Sequence, residues 1–148
     1  LENLHQKDMV PEELLADSLY GSESNCERGR DEYDVEIIAP AMPGNRKKIH
    51  LAEFTVTDQG WIVSCPKGIK PDRVKKNKSS YSAAFAVDVC RNCPLLKQCP
   101  VSKGRKFYYY RYKEKDLRLA RRVKCEKTKA FTEKYRFRAG VEATMSEF

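Results

Sequence analysis

Two short apolar runs, Glu13-Leu14-Leu15-Ala16-Asp17 and Val35-Glu36-Ile37-Ile38-Ala39-Pro40, flank one polar stretch with the composition of a helix. No other feature limits the fold as much. Strand, turn, helix and strand over this length predict an α/β unit with a parallel sheet. Ser18-Leu19-Tyr20-Gly21-Ser22 reads as the turn, with Ser22 as N-cap of a helix over residues 22–30. Residues 1–13 carry weak helical character that ends at Pro11. In parallel sheets functional groups gather at the carboxyl ends of strands, and Asp17 stands at such an end.

From Ala41 the texture changes. Pro43-Gly44-Asn45 breaks the chain and Arg46-Lys47-Lys48 follows. Residues 54–57 and 61–65 flank Asp58-Gln59-Gly60, which predicts a β-hairpin. Residues 66–80 read as a basic loop, 81–89 as a strand, and 105–112 as a β-prone aromatic and basic run. Good helix formers then fill residues 114–148, with Gly140 the one weak position, which predicts one long helix. The expected fold is α/β, or α+β overall, in three segments. Residues 1–45 form a core segment, 46–112 a β-rich insertion holding most of the cysteines, and 113–148 a C-terminal helix that returns to the core. Leu1 at the start, and a helical pattern that reaches Phe148 without a Gly cap or Pro stop, read as a piece of a longer protein.

Charge is unevenly placed. Residues 1–60 hold 6 Lys/Arg and 13 Asp/Glu, whereas residues 61–148 hold 23 and 8. Such a split suggests that one part of the chain meets a polyanion. Residues 102–138 concentrate 15 Lys/Arg against 4 Asp/Glu, interleaved with Phe107, Tyr108, Tyr109, Tyr110 and Tyr112. Lysine and arginine neutralise phosphates without regard to base sequence, and exposed aromatics stack on bases. A half-buried strand would take most of these tyrosines into a core, leaving the outer face of the 114–148 helix as the phosphate-contacting surface. A nucleic acid is the expected partner. No apolar run approaches the roughly 18 residues of a membrane span, and no secretory signal pattern opens the chain. The expected location is the cytoplasm, and no membrane partner is expected.

Cys90 and Cys93 have the close spacing of a metal knuckle, and Cys99 follows. Cys65, at a hairpin end, is the candidate fourth ligand. Metal binding would supply folding free energy to a small, weakly hydrophobic insertion, and zinc is the default metal. Cys65, Cys93 and Cys99 each precede proline, a feature also found at iron–sulfur sites. A disulfide and plain buried thiols are the other readings. Cys26 and Cys125 lack partners at ligand spacing and read as ordinary thiols.

The acids matter most in the basic half. In Tyr135-Arg136-Phe137-Arg138-Ala139-Gly140-Val141-Glu142, positions 135, 138 and 142 fall within roughly 60° of one another on a helix. A phenol, a guanidinium and a carboxylate share one stripe. Metal-assisted phosphoryl transfer needs acids from separate elements that hold two Mg²⁺ ions, and Asp17 and Glu142 suit such a set. Singly, each has a plainer reading: a strand-end Asp as a turn residue, a Glu as an i,i+4 partner of Arg138, and Tyr135 as a core aromatic in register with Phe131.

Leu15-Ala16-Asp17-Ser18-Leu19-Tyr20-Gly21-Ser22 resembles the second-aspartate motif of bacterial insertion-sequence DDE transposases. Tyr135, Arg138 and Glu142 match the tyrosine–arginine–glutamate signature around the third acid of that family. The signature's following lysine would fall one position past Phe148. The insert with Cys-Pro-Lys-Gly and Cys-x2-Cys-Pro-Leu is similar to that of one branch of the family. The resemblance runs from Pro11 to Phe148.

It implies a partial RNase H-like core, interrupted before the helix that bears the last acid. It also implies Mg²⁺ held by two aspartates and a glutamate, DNA cleavage at transposon ends, and strand transfer to target DNA. Asp17 would be the second aspartate and Glu142 the glutamate, with Tyr135 and Arg138 near a DNA phosphate. Asp8 lies too close to Asp17 to be the first aspartate on a separate strand, so the chain alone is expected to be inactive. The alternative is a non-enzymatic, zinc-stabilised DNA-binding module. An uncovered sheet edge would leave self-association, as a homodimer, open.

Overall fold

The computed structural model describes residues 1–42 and 48–145, with side chains on the last helix described through Arg138. The fold mixes helices and sheets, the α+β composition read from the sequence. The chain divides into two compact units, one of residues 1–42 and 122–148, the other of residues 43–121.

In the first unit, β1 (Glu13–Leu15) and β2 (Glu36–Ile38) pair in parallel, with Leu14 opposite Ile37. The connection is α2 (Glu23–Tyr33), preceded in the chain by a short α1 (Glu2–Gln6). The Ser22 side chain accepts the Asn25 backbone N–H, so Ser22 is the N-cap expected from the sequence. The helix ends at Asp34 in the left-handed conformation (φ 55°), which short polar side chains tolerate. Gly21 precedes the cap because a Cβ there would lie 2.5 Å from the Ala39 Cβ. The unit is completed by α5 (Lys129–Met145) and by the end of α4 (Glu114–Glu126).

The second unit is built on β6 (Ser80–Ala86) and β8 (Phe107–Lys113), paired antiparallel along their whole length. The edge strands β5 (Arg73–Lys76) and β7 (Ser102–Lys103) give the order β5-β6-β8-β7. A hairpin of β3 (Thr55–Val56) and β4 (Ile62–Ser64) forms where the sequence signals one. Strand alternation sends Tyr108, Tyr110 and Tyr112 of β8 inward, with Tyr81, Ala83 and Phe85 of β6. Phe54, Ile62, Leu117 and Ala120 join that core. Tyr81 and Tyr112 stack, with ring centroids 5.2 Å apart, and the Tyr112 hydroxyl donates to the Gly60 carbonyl at 2.8 Å.

Three expectations change. Residues 66–80 are not all loop, because Arg73–Lys76 pair with β6 as an edge strand. Cationic edge strands resist pairing with other chains, so the charge suits the position. The strand expected over 81–89 stops at Ala86, and a short α3 (Val87–Arg91) follows. The single C-terminal helix is two helices. The Thr128 hydroxyl donates to the Cys125 carbonyl at 2.6 Å and accepts the Phe131 N–H at 3.3 Å, ending α4 and capping α5.

Candidate active site

Asp17 follows β1 by two residues. Its Oδ1 accepts the backbone N–H groups of Leu19 at 2.9 Å and Tyr20 at 3.2 Å. This Asx-turn fixes the carboxylate and leaves Oδ2 on the other side. Arg138 Nη2, on α5, lies 3.7 Å from that Oδ2. The other guanidinium nitrogen, Nη1, donates to the Tyr135 hydroxyl at 3.0 Å, and that hydroxyl donates to the Ala16 carbonyl at 3.3 Å. Tyr135 also stacks on Phe131, with centroids 5.5 Å apart. One turn before Arg138, Lys134 forms an ion pair with Glu13 at the other end of β1.

Asp17 and Arg138 line one cleft of about 670 Å³ with Leu14, Ala16, Tyr20 and Arg28. The Arg138 and Asp17 side chains are 22% and 35% exposed. An ion pair so accessible contributes about 0–1 kcal/mol. It orients a guanidinium beside a strand-end carboxylate more than it stabilises the unit. Glu142 stands on α5 one turn beyond Arg138, and its side chain lies outside the described residues. Asp8 sits in the turn after α1 with φ 54°, off any strand.

The cysteines of the second unit gather. Cys65, Cys90, Cys93 and Cys99 line one small apolar cavity with Ile49, Phe54 and Phe85 among its walls. All are free thiols and half-buried. Burial pushes the Cys90 thiol up to about 11, and the neighbouring Cys99, Cys93 and Cys65 add to the shift. The Cys99 thiol is raised as well, mainly by burial. Four soft donors around one cavity fit a thiophilic cation in kind and number. Among the described residues, however, no three such side chains already stand in metal-binding geometry. Cys26, on α2, is buried and its thiol is raised by that burial, while Cys125 is exposed.

The sequence model of the family described as "Transposase DDE domain" matches residues 64–148, more than half of the chain. The chain belongs to the transposase DDE domain family. The matched residues of this transposase domain include the four clustered cysteines and Tyr135, Arg138 and Glu142, while Asp17 lies before them. Family membership implies DNA as partner and divalent metal use. No curated protein and no solved structure matches the chain. No helix among the described residues is long and apolar enough to cross a membrane.

Two contributors to the site were not singled out from sequence. The Ala16 carbonyl that anchors Tyr135 is backbone and carries no side-chain signal. The Glu13–Lys134 pair joins residues 121 positions apart and leaves no local pattern. Phe131 was legible, as the i−4 neighbour of Tyr135 on a helix face.

Proposed function

We propose that this transposase domain is part of an RNase H-like catalytic core, with residues 1–45 and 113–148 as core segments and 46–112 as an insertion. Its reaction is DNA cleavage and strand transfer in transposition. Asp17 and Glu142 serve as two carboxylates of the metal-holding set. Mg²⁺ bound there would activate the attacking oxygen and stabilise the leaving one. Arg138 and Tyr135 hold a DNA phosphate next to that set, the guanidinium through its fork of donors and the phenol as orienter of the guanidinium.

One observation carries this reading. Arg138, from the C-terminal part of the chain, pairs directly with the strand-end aspartate, and Tyr135 bonds both that arginine and the Ala16 carbonyl beside the aspartate. That juxtaposition is what a shared phosphate and metal site requires, and a surface ion pair alone gains too little to need it.

Asp17 and Glu142 are two acids where the reading calls for three, so this chain by itself does not transfer strands. In the second unit, Cys65, Cys90, Cys93 and Cys99 are the ligands of a structural Zn²⁺, closing on the metal as it binds. The protein acts in the cytoplasm at the nucleoid, as a dimer on transposon ends and target DNA.

Mn²⁺ titration of the intact chain tests the catalytic assignment. Asp17→Asn and Glu142→Gln are each expected to weaken Mn²⁺ binding by about tenfold or more, with folding retained. Binding that ignores both substitutions would overturn it. Retention of one Zn²⁺ per chain alongside that result would favour the non-enzymatic DNA-binding module.

A further inference from the structure

The sheet of the second unit has an outward face that neither the core nor the candidate active site uses. The antiparallel register assigns that face residue by residue. On β5 it carries Arg73 and Lys75, and on β8 Phe107, Tyr109, Arg111 and Lys113. Between them β6 offers only Ser80, Ser82, Ala84 and Ala86. A strand of small residues thus lies between two strands that carry the long side chains of the face, four of them cations. Lys75, Ser82 and Arg111 form one row across the face, and Arg73, Ala84 and Tyr109 the next.

The strands place no acid on this face. Asp72, just before β5, is engaged with the Ala86 backbone N–H at 2.9 Å. The Asp116 carboxylate accepts the Lys113 backbone N–H, and Glu114 pairs with Lys76 and Tyr81 on the inward register. Arg73, Lys75, Arg111 and Lys113 are all exposed and stand in no ion pair among the described residues. A solvated charged face would ordinarily mix signs; this one does not.

The arginines are also held in place. Arg73 lies over the Phe107 ring at 5.2 Å and Arg111 over the Tyr109 ring at 5.4 Å. Cation–π stacking restrains the guanidinium and leaves its donors pointing away from the ring edge. It also covers the two aromatic rings of the face, so they are not open platforms for unstacked bases. That argues for phosphate contact along a duplex over binding of a single strand. Neighbouring outward residues on a strand are about 7 Å apart, and β5 and β8 are separated by roughly 10 Å.

We propose that this outward face, through Arg73, Lys75, Arg111 and Lys113, docks the phosphate backbone of double-stranded DNA without reading its sequence. The proposal rests on the transposase reading for its partner. It assigns DNA contact to a surface separate from the residues given the metal. It also moves the main phosphate contacts from the long helix, where the sequence suggested them, to the sheet.

Binding of the full chain to a random-sequence duplex is measured against salt, without added Mg²⁺. Each phosphate contact contributes about 0.9 to the slope of log affinity on log salt. The variants Arg73→Gln/Lys75→Gln and Arg111→Gln/Lys113→Gln should each lower that slope by about 2 and weaken binding by about tenfold. The control Lys70→Gln/Lys97→Gln removes the same charge from loops outside the sheet and should leave the slope nearly unchanged. In the unsubstituted protein, duplex should protect Lys75 and Lys113 from acetylation more than Lys70 and Lys97, a readout that needs no variant. An equal effect of the control, tighter binding of the single strand, equal acetylation of all four lysines, or no duplex binding by the unsubstituted chain would overturn the proposal. Mn²⁺ binding at Asp17 does not involve these residues. Its loss with duplex binding intact sinks the catalytic reading alone, and the reverse sinks only this surface.

Discussion

The first unit buries four hydrophobic side chains among the described residues, Cys26, Val35, Ile38 and Ala39, while the second packs a cluster of eleven. The first has two parallel strands of three residues each; the second has two seven-residue strands at the centre of an antiparallel sheet. Parallel strands need cover on both faces, and an antiparallel sheet can leave one face to water. The second unit does this, with its tyrosines inward and its cations outward. Stability and candidate chemistry are therefore separated. The aromatic core belongs to one unit, whereas Asp17, Tyr135 and Arg138 sit in the unit with the smaller core.

Substitutions can break this contrast. The largest effect is expected at Phe54, fully buried in the second unit. Phe54→Ala should cost about 3–5 kcal/mol, read from urea denaturation through the fluorescence of Trp61, the single tryptophan, which packs edge-on to Tyr81. Ile38→Ala in the first unit should fall at the low end of such changes, about 2 kcal/mol. It should be read through alkylation of the buried Cys26 thiol, with the Trp61 transition little moved. If Ile38→Ala shifts the Trp61 midpoint as far as Phe54→Ala does, the two cores are not separate.

Gly60→Ala comes next. Gly60 has φ 90°, and a Cβ there would stand 2.6 Å from Leu117 Cδ1. Strained backbone of this kind costs about 1–3 kcal/mol, and the same melt should report it at Trp61. An unchanged midpoint would mean that the hairpin turn is not fixed by this contact. Ser22→Ala has the smallest effect, about 1 kcal/mol from the lost cap of α2. It should raise Cys26 alkylation and leave Trp61 fluorescence alone; a shift in the tryptophan signal would count against independent units.

The local signals in the sequence were reliable where chemistry is local. Ser22 as N-cap, Asp58-Gln59-Gly60 as a turn, and the alternation in Phe107-Tyr108-Tyr109-Tyr110 each specify their structure through a neighbour within a few residues. Arg73–Lys76 failed that test because nothing in the run itself marks a strand; β6 makes it one by offering an edge. The break at Thr128 was legible in principle, as a threonine three residues before an apolar side chain, but the surrounding helix formers masked it. At the site, the helix stripe placed Tyr135 and Arg138 on one side of α5. Which carbonyl and which carboxylate they would meet depends on partners more than a hundred residues away, and no periodicity encodes that.

The first unit is discontinuous in the chain, and this orders its assembly in time. Glu13 and Lys134, 121 positions apart, cannot meet until the ribosome has made everything between them. At about 5–20 residues per second that interval is on the order of ten seconds. The second unit is continuous and holds its own core, so it can fold during this wait. Once folded, it leaves less flexible chain to close between β1 and α5 and so lowers the entropic cost of that closure. The pairing of Asp17 with Arg138 is then among the last events of folding.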